Sequence, residues 1–228
     1  MGADGRSKLG RISDVNFLRD QVYEILKEGI ISLKLKPGDR LNVSVLAKEL
    51  GASATPIREA LTRLEQEGFV ETIPFRGGFV TQINDCDVEE IFELRELLEG
   101  AAIKRAAITF SLEDLQKGEA LLEKMREAYK VSNIKSYAKS SRDFHDLFIK
   151  KFGNQRMLNA LKTFDDHLER IRITAIRTIE NVPLFIEDYE KILQPLKMQN
   201  PDEAERALVA HLRRAKQIYL KSKGNKGS

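Results

Sequence analysis

The chain has 228 residues and a mass of 26.0 kDa, which is enough for two modest domains, each with its own core. Hydrophobic residues make up 42% of it and charged residues 32%, a balance that excludes an intrinsically disordered chain. No apolar run approaches the roughly 20 residues of a membrane span and no signal peptide opens the chain, so we expect a cytoplasmic protein without membrane contact. Net charge is only +3, and residues 1–82 hold 12 Lys and Arg against 11 Asp and Glu. Any nucleic-acid surface must therefore come from local placement.

The first 13 residues are rich in Gly, Ser and charge, and we expect a flexible arm there. An amphipathic helix is predicted over Val15–Ser32, with Asp14 as its cap. The residues expected on its inner side are Val15, Leu18, Val22, Ile25, Leu26, Ile30 and Ile31. Pro37 and Gly38 then predict a turn, because proline fixes φ and glycine adopts the turn conformation without steric cost.

A helix-turn-helix is predicted next, inside a domain of residues 14–82. Its first helix spans Val43–Leu50, where apolar residues recur three and four positions apart. Gly51 is expected to end this helix, because glycine takes positive φ at no steric cost.

The second helix of this pair is expected to start at Ser53 or Thr55 as cap, with Glu59 completing the cap and Pro56 in the first turn. Gly68 is expected to close it. Its buried face is predicted to hold Ile57, Ala60, Leu61 and Leu64, and its open face Thr55, Arg58, Thr62 and Arg63.

Two short strands, Phe69–Ile73 and Gly78–Gln82, are predicted after this helix, joined by a loop that carries Arg76 and Gly77. Together with the two helices they form a winged helix-turn-helix. A helix with outward hydroxyls and guanidiniums fits the major groove, and a glycine at the wing tip lets backbone approach a phosphate. The pattern therefore predicts binding to double-stranded DNA. The residues expected at the contact are Ser53, Thr55, Pro56, Arg58, Thr62, Arg63, Arg76 and Gly77.

The stretch LAKELGASATPIREALTRLEQEGFV followed by RGGFV resembles the winged helix-turn-helix of the GntR family of bacterial transcription regulators. In that family an Arg that reads bases commonly stands where this chain has Ala54. The resemblance implies that Arg58 contacts a phosphate or a base, and that Ser53, Thr55 and Gly77 position the backbone on the duplex.

Beyond a predicted linker of residues 83–86, the chain indicates only helices. The predicted helices are Asp87–Ile108, Leu112–Lys130, Ile134–Lys151, Asn154–Ile179, Pro183–Lys197 and Pro201–Lys221. Short connections between them favour an antiparallel bundle of six or more helices, so the fold is mainly α. The bundle is predicted to occupy residues 87–222, with a flexible tail over 223–228. Cys86, the single cysteine, lies just before the first of these helices and excludes an internal disulfide.

The segments IFELRELLEGAAIKRAA, SRDFHDLFIKKFGN and NPDEAERALVAHL resemble the all-helical ligand-sensing domain of the FadR branch of that family, known as the FCD domain. The resemblance implies a homodimer whose bundle binds a small-molecule effector, most often an organic acid.

All three histidines, His145, His167 and His211, lie on apolar stripes of predicted helices. Related sensor domains often hold a divalent metal such as zinc or nickel on one acidic residue and three His. The resemblance maps those positions to Ser141, His145, Tyr189 and His211, of which only His145 and His211 match. Substitute ligands would have to come from Asp143, Asp165 or His167. The alternatives are an effector pocket without metal and hydrogen-bonded core histidines.

Arg95 lies at the margin of an inner stripe, where an unpaired guanidinium would be costly. Its planar fork suits an effector carboxylate, and an ion pair with a neighbouring Glu is the alternative.

The sequence therefore predicts a dimeric, DNA-binding transcription regulator that responds to a small carboxylate bound in its bundle. One alternative is a regulator whose bundle only dimerises. Another is a metal-dependent enzyme built on the bundle, for which the sequence offers no nucleophile with a base and no complete metal motif.

Overall fold

A computed structural model of the chain describes residues 14–176 and 182–224, and the side chains of 18–174 and 182–221. The predicted arm of residues 1–13 and the last four residues of the predicted tail lie outside the described residues. The side chains of the predicted cap Asp14 and of Val15 also lie outside the described ones. The chain divides into two compact units between Gln82 and Ile83. No helix among the described residues is long and apolar enough to cross a membrane.

The first unit combines three helices with a small sheet. Its elements are α1 (Asp14–Ile31), β1 (Arg40–Leu41), α2 (Val43–Leu50), α3 (Ala54–Gln66), β2 (Val70–Ile73) and β3 (Gly77–Val80). The three strands pair antiparallel in the order β1-β3-β2, with Glu71 opposite Phe79. The winged helix-turn-helix is thus present, with β3 starting at Gly77 and ending at Val80 instead of Gln82. Two-residue β1 was not predicted, because it is too short to show an alternating pattern.

The core of this unit lies where α1 packs against α3. Val22, Tyr23 and Leu26 of α1 are buried, whereas Leu18 and Ile25, predicted on the inner side, are exposed. Leu18 and Ile25 stand two helical turns apart on one line of α1, and the buried Tyr23 shows that the packed face is rotated away from that line. The apolar stripe is therefore wider than the face that α3 covers.

The start of α3 corrects the predicted cap. Ser53 occupies the position before the helix, but its side chain forms no capping hydrogen bond. A cap side chain accepts from the second or third backbone N–H of the helix, and the third residue here is Pro56, which has none. Pro56 is itself buried, so this predicted DNA-binding residue serves the helix start and not the open face.

The second unit consists, in its described part, of seven helices. They are α4 (Asp85–Ile108), α5 (Leu112–Lys130), α6 (Ile134–Phe152), α7 (Gln155–Lys162), α8 (Asp165–Ile176), α9 (Val182–Lys197) and α10 (Pro201–Gly224). Helix α4 packs against α6, α9 and α10, while α5 packs against α6 and α9. The predicted helical bundle is confirmed.

Three boundaries in the second unit differ from the prediction by more than one residue. The predicted linker is shorter, because the Asn84 side chain accepts the backbone N–H of Asp87 at 2.7 Å and the helix already begins at Asp85. Helix α10 runs on to Gly224, three residues beyond its predicted end. The single helix predicted over residues 154–179 is broken between α7 and α8, and its last three residues lie outside the described ones. No Pro or Gly marks this break in the sequence. Phe164 is buried there, so core packing and not backbone chemistry bends the chain.

The exit from α2 gives a test of backbone strain. Gly51 ends this helix at φ 63°, and no heavy atom lies within 4 Å of the place a Cβ would take. Gly51→Ala should lower the free energy of local opening around α2 and α3 by about 1 kcal/mol, because only the positive φ opposes it. Gly51→Asn should cost less, since Asn visits this conformation more readily. Amide hydrogen exchange would measure both, and equal losses for Ala and Asn would contradict the argument.

Candidate functional site

A small cavity lies inside the second unit, between α4, α6, α8, α9 and α10. Its volume is about 40 Å³, which is room for a few water molecules. The side chains around it are Phe92, Arg95, Tyr137, Ser141, His145, Leu168, Ile171, Arg172, Phe185, Tyr189, His211 and Ala215. Apolar walls with a few convergent polar groups are typical of small-molecule sites.

Four of the predicted site residues meet at this cavity from three helices. Ser141 and His145 stand one turn apart on α6, Tyr189 lies on α9 and His211 on α10, and all four are buried. The Ser141 and Tyr189 hydroxyls are hydrogen-bonded at 2.6 Å. The rings of Tyr189 and His211 have centroids 4.7 Å apart, and those of His145 and His211 5.5 Å apart. Residues distant in sequence thus form one cluster.

Arg95 also reaches this cluster, through a carboxylate that the sequence analysis did not single out. Arg95 Nε donates to Glu99 Oε1 at 2.5 Å, and Glu99 Oε2 lies 2.6 Å from Nδ1 of His145. The alternative of an ion pair with a neighbouring Glu is therefore the observed one, and the same Arg95 lines the cavity. The four-residue spacing of Arg95 and Glu99 on one predicted helix was a signal that could have identified the pair.

The charges of this network fix the tautomer of His145. Burial works to raise the pKa of Glu99, but the nearby Arg95 and His145 outweigh it and hold the pKa well below its usual range. Burial lowers the pKa of His145 to about 4, against the opposing pull of Glu99. A neutral His145 beside an ionised carboxylate must donate from Nδ1, so its Nε2 is an acceptor. The Tyr189 hydroxyl lies 3.5 Å from that Nε2.

At this site the buried Tyr137 hydroxyl has no hydrogen-bond partner within the described part of the chain, and Nδ1 of His211 makes only a long contact with Asp188. Nδ1 of His211 lies 3.5 Å from an Asp188 oxygen that is 3.0 Å from Arg214 Nε. Burial lowers the pKa of His211 and raises that of Tyr137. Unsatisfied buried groups are rare in proteins and mark places where a ligand or water can bind.

The donor set does not fit a zinc or nickel site. Ser141 and Tyr189 stand at two of the four expected positions and hydrogen-bond to each other, and neutral hydroxyls are poor ligands for these metals. Of the suggested substitutes, Asp143 pairs with Lys139, and neither Asp165 nor His167 lines the cavity. Across residues 14–176 and 182–224, no three His, Cys, Asp or Glu side chains are grouped to hold a metal ion.

A second candidate site, a surface for DNA, lies on α3 and the wing of the first unit. Arg58, Thr62 and Thr55 of α3 are exposed, as is Ser53 before the helix. The Thr62 hydroxyl donates to the backbone carbonyl of Arg58 at 3.0 Å. At the tip of the hairpin, Arg76 and Gly77 are both exposed, and Gly77 has φ 95°.

Arg63, also predicted on the open face, is engaged within the unit. Its guanidinium lies over the Tyr23 ring, 3.6 Å from the centroid, and its Nε lies 3.3 Å from Glu67. The Tyr23 hydroxyl donates to the same Glu67 at 2.6 Å, and Lys27 pairs with it at 2.8 Å. Arg63 therefore joins α3 to α1, although half of its side chain remains exposed.

An exposed arginine beside the wing escaped the sequence analysis. Arg40 on β1 lies next to Gly77, with its Nε 3.9 Å from the place a Cβ on that glycine would take. Only the pairing of β1 with β3 brings it there, so no local pattern could have shown it.

Comparison with known proteins agrees with these two units. Residues 18–80 match the family model described as bacterial regulatory proteins, gntR family, and residues 90–214 match the FCD domain. The chain belongs to the GntR family. This GntR-family protein, with its FCD domain, is a DNA-binding transcription regulator and not an enzyme.

Relatives of this regulator align over nearly its whole length. The uncharacterised HTH-type transcriptional regulator YdhC of Bacillus subtilis is 28% identical over 84% of this chain and 86% of its own. The HTH-type transcriptional repressor RspR of Escherichia coli is 23% identical over 86% of each chain. Among solved structures, E. coli McbR/YncC has a TM-score of 0.71 and 25% identity, covering 92% of this chain and 99% of its own.

The two arginines of α3 should separate DNA contact from packing in this regulator. Arg58→Gln should weaken binding to an operator roughly 10-fold and lower the salt slope by about one, because it removes one exposed cation. Arg63→Gln should instead lower the free energy of unfolding by about 1 kcal/mol, since it removes the stacking on Tyr23. Binding titrations at several salt concentrations and denaturation would measure both, with exposed Arg156→Gln on α7 as control. A stability loss in Arg58→Gln alone would reverse the assignment.

The lowered pKa of the buried His145 predicts that the stability of the FCD domain depends on pH. Because the pKa of His145 is lowered to about 4 in the folded state, the unfolded chain binds more protons between about pH 6.5 and 4. Stability is then fully present above pH 6.5 and falls as the pH drops, by on the order of 3 kcal/mol. His145→Gln, which can still donate to Glu99, should flatten this dependence in denaturation measured from pH 7 to 4. An unchanged slope in that variant would exclude His145 as the cause.

Proposed function

We propose that the operator binding of this regulator is controlled by a small organic anion, most simply a carboxylate, bound in the cavity of the FCD domain. The observation that carries the proposal is the convergence of Arg95, Ser141, His145, Tyr189 and His211 on one cavity, which is also lined by Tyr137. The buried Tyr137 hydroxyl has no hydrogen-bond partner within the described residues, whereas a core built only for stability would satisfy it.

The charge around the cavity supports an anion. Arg172 lines the cavity, and its Nη1 pairs with Glu169 at 2.6 Å. The same Glu169 also accepts Arg142 at 3.0 Å, so two guanidiniums share one carboxylate. A guanidinium has five N–H donors in a planar fork, which leaves Arg172 able to take a second carboxylate. The Tyr137 hydroxyl would complete the binding site with a further donor.

The size of the cavity constrains how the effector enters. At about 40 Å³ it holds only a few waters, so even a small acid must move side chains apart. The hydrogen bond between Ser141 and Tyr189 is the contact that would open, since both hydroxyls can turn toward a carboxylate. A regulator whose bundle only dimerises is the competing function, and the same small volume favours it.

The route from effector to DNA begins on α4. This helix carries Arg95 at the cavity and begins at Asp85, five residues after β3 ends at Val80. An effector that shifts Arg95 would shift α4 and so the start of the chain that leads to the wing. Because such coupling is reciprocal, operator DNA must change the effector affinity by the same factor.

The proposed partners are a second copy of the chain and double-stranded DNA. We infer a cytoplasmic homodimer that places two winged helix-turn-helix units on the two halves of a pseudo-palindromic operator. Ser53, Thr55, Arg58, Thr62, Arg76 and Gly77 are the proposed contacts with double-stranded DNA, and the exposed Arg40 joins them.

A thermal-shift screen tests the effector proposal. The purified, metal-analysed protein would be heated with small mono- and dicarboxylates, and with their neutral amides, with and without added zinc or nickel. A ligand that binds only the folded state must raise the melting temperature, by an amount that grows with its concentration. We expect a carboxylate to stabilise the protein, its amide to fail, and the metals to make no difference.

Two variants locate the site. Arg172→Gln should reduce the rise in melting temperature that the carboxylate causes, and Tyr189→Phe should change it. The matched control is Tyr129→Phe, at a half-buried position on α5. No shift with any acid, together with operator binding that no acid changes, would leave the dimerisation-only function.

A further inference from the structure

The tip of the wing carries a phenyl ring in a backbone conformation that favours glycine. Ile73 to Arg76 form the turn between β2 and β3, closed by a hydrogen bond from the Arg76 N–H to the Ile73 carbonyl at 3.0 Å. Pro74 is the second residue of this turn, and Phe75, with φ 63°, is the third. Proline at the second position and positive φ at the third are the features of a type II turn, whose third residue is usually Gly or Asn. A bulky aromatic residue rarely adopts that conformation.

The strain at Phe75 is not offset by packing inside the first unit. Leu33 also has positive φ, at 58°, but its side chain is 6% exposed and its burial compensates for the strain. The Phe75 side chain is instead fully exposed, and no other large hydrophobic side chain among the described residues is more than 74% exposed. Strained residues of this kind persist where they serve binding. The wing thus holds a hydrophobic ring outward at a cost to its own stability, which points to a binding partner.

Two guanidiniums lie at the same tip. Arg76 follows Phe75 in the turn and is exposed, and its guanidinium lies 5.8 Å from the centroid of the Phe79 ring on β3. Arg40 on β1 is also exposed, and its Nε is 3.9 Å from the place a Cβ on Gly77 would take. Cations next to an apolar group match the minor groove of DNA, in which two rows of phosphates border the base edges.

The hairpin is long enough to carry the ring to that groove. With α3 in the major groove, the tip must pass one row of phosphates to reach the adjacent minor groove. Strand β2 has four residues, Val70–Ile73, which extend over roughly 13 Å. The major groove is about 12 Å wide, so a hairpin of this length reaches past its edge. The minor groove is about 6 Å wide and admits a phenyl ring edge-on.

We propose that Phe75 is a wedge that enters the minor groove, inserts between two neighbouring base pairs of the operator, unstacks them and bends the duplex. Apolar side chains inserted in this way kink DNA toward the major groove. This inference rests on the proposed placement of α3 and the wing on DNA, and it adds a residue that sets sequence preference. A base step opens most easily where its stacking is flexible, so the operator should carry a pyrimidine–purine step such as TA or CA under the ring.

Substitutions at Phe75 separate a wedge from a structural role. The probe is a duplex selected in vitro from a random library by the full wild-type chain. Phe75→Asn should weaken binding to this duplex roughly 10-fold, because the ring is lost. In the free protein the same variant should slow amide hydrogen exchange of the hairpin, because Asn takes positive φ more readily. A residue with a structural role would instead lose protection on substitution.

Two further variants serve as controls. Phe75→Leu should retain most of the affinity, because leucine is also an effective apolar wedge. Ile25→Gln should bind like wild type, since Ile25 is an exposed apolar residue of the same unit, 54% exposed on α1.

The salt dependence of binding distinguishes the ring from the cations beside it. Phe75→Asn should leave the slope of log affinity against log salt concentration unchanged, because no charge is removed. Arg76→Gln should lower that slope by about one, because it removes one cation from the phosphates.

Unstacking is measured with 2-aminopurine, a fluorescent base whose emission rises when it leaves the stack. Probes placed in turn along the duplex should brighten at one step of each half-site with wild type and Phe75→Leu, and at none with Phe75→Asn. Replacing that step by AA should weaken wild-type binding several-fold and leave Phe75→Asn binding unchanged. Phe75→Asn that binds as tightly as wild type, or a wild-type complex without an unstacked step, would overturn the proposal.

These outcomes are distinct from failure of the proposed DNA surface. If Arg76→Gln lowers the affinity and the salt slope while Phe75→Asn changes neither affinity nor fluorescence, the wing contacts DNA and only the wedge is rejected. If Arg58→Gln, Arg76→Gln and Phe75→Asn all bind like wild type, the proposed surface itself is wrong.

Discussion

The helical domain depends on a charged network that is buried in its core. Arg95, Glu99 and His145 lie out of contact with water, where an isolated charge would be prohibitively costly. The network persists because Glu99 uses both oxygens, one on the guanidinium and one on the imidazole. That pairing keeps Glu99 ionised, whereas burial keeps His145 neutral. Together they fix which imidazole nitrogen can accept a hydrogen bond. The polar chemistry of the cavity depends on this arrangement.

Helix α4 has one face in this buried network and the other on the surface of the helical domain. Its buried face supplies Arg95 and Glu99, and its exposed face carries Leu97. Small changes in a packed core are transmitted because side chains must move between discrete arrangements and cannot deform continuously. An effector that displaced Arg95, as proposed, would therefore move α4 with it.

The winged helix-turn-helix uses its cations in two different ways. Arg63, which the pattern places beside Arg58 on the open face, stacks on Tyr23 and pairs with Glu67 to hold α3 against α1. Arg58, Arg76 and Arg40 remain exposed. The proposed DNA-contact surface therefore includes Arg58, Arg76 and Arg40, whereas Arg63 also holds α3 against α1.

The sequence by itself determined the two domains, the helix and hairpin order and the family, because periodicity, glycines at helix ends and motif spacing are local properties of the chain. It also identified His145, His211 and Arg95, since polar groups on apolar stripes stand out, and the family resemblance added Ser141 and Tyr189. Only the tertiary structure decided that these residues share one cavity, that Glu99 bridges Arg95 to His145, and that Phe164 bends the chain between α7 and α8. The tertiary structure also decided that Arg63 packs against α1, that Arg40 lies beside the wing, and that Leu18 and Ile25 of α1 are exposed. Such features depend on which faces of separate helices and strands meet, and no local pattern records the rotation of one element against another.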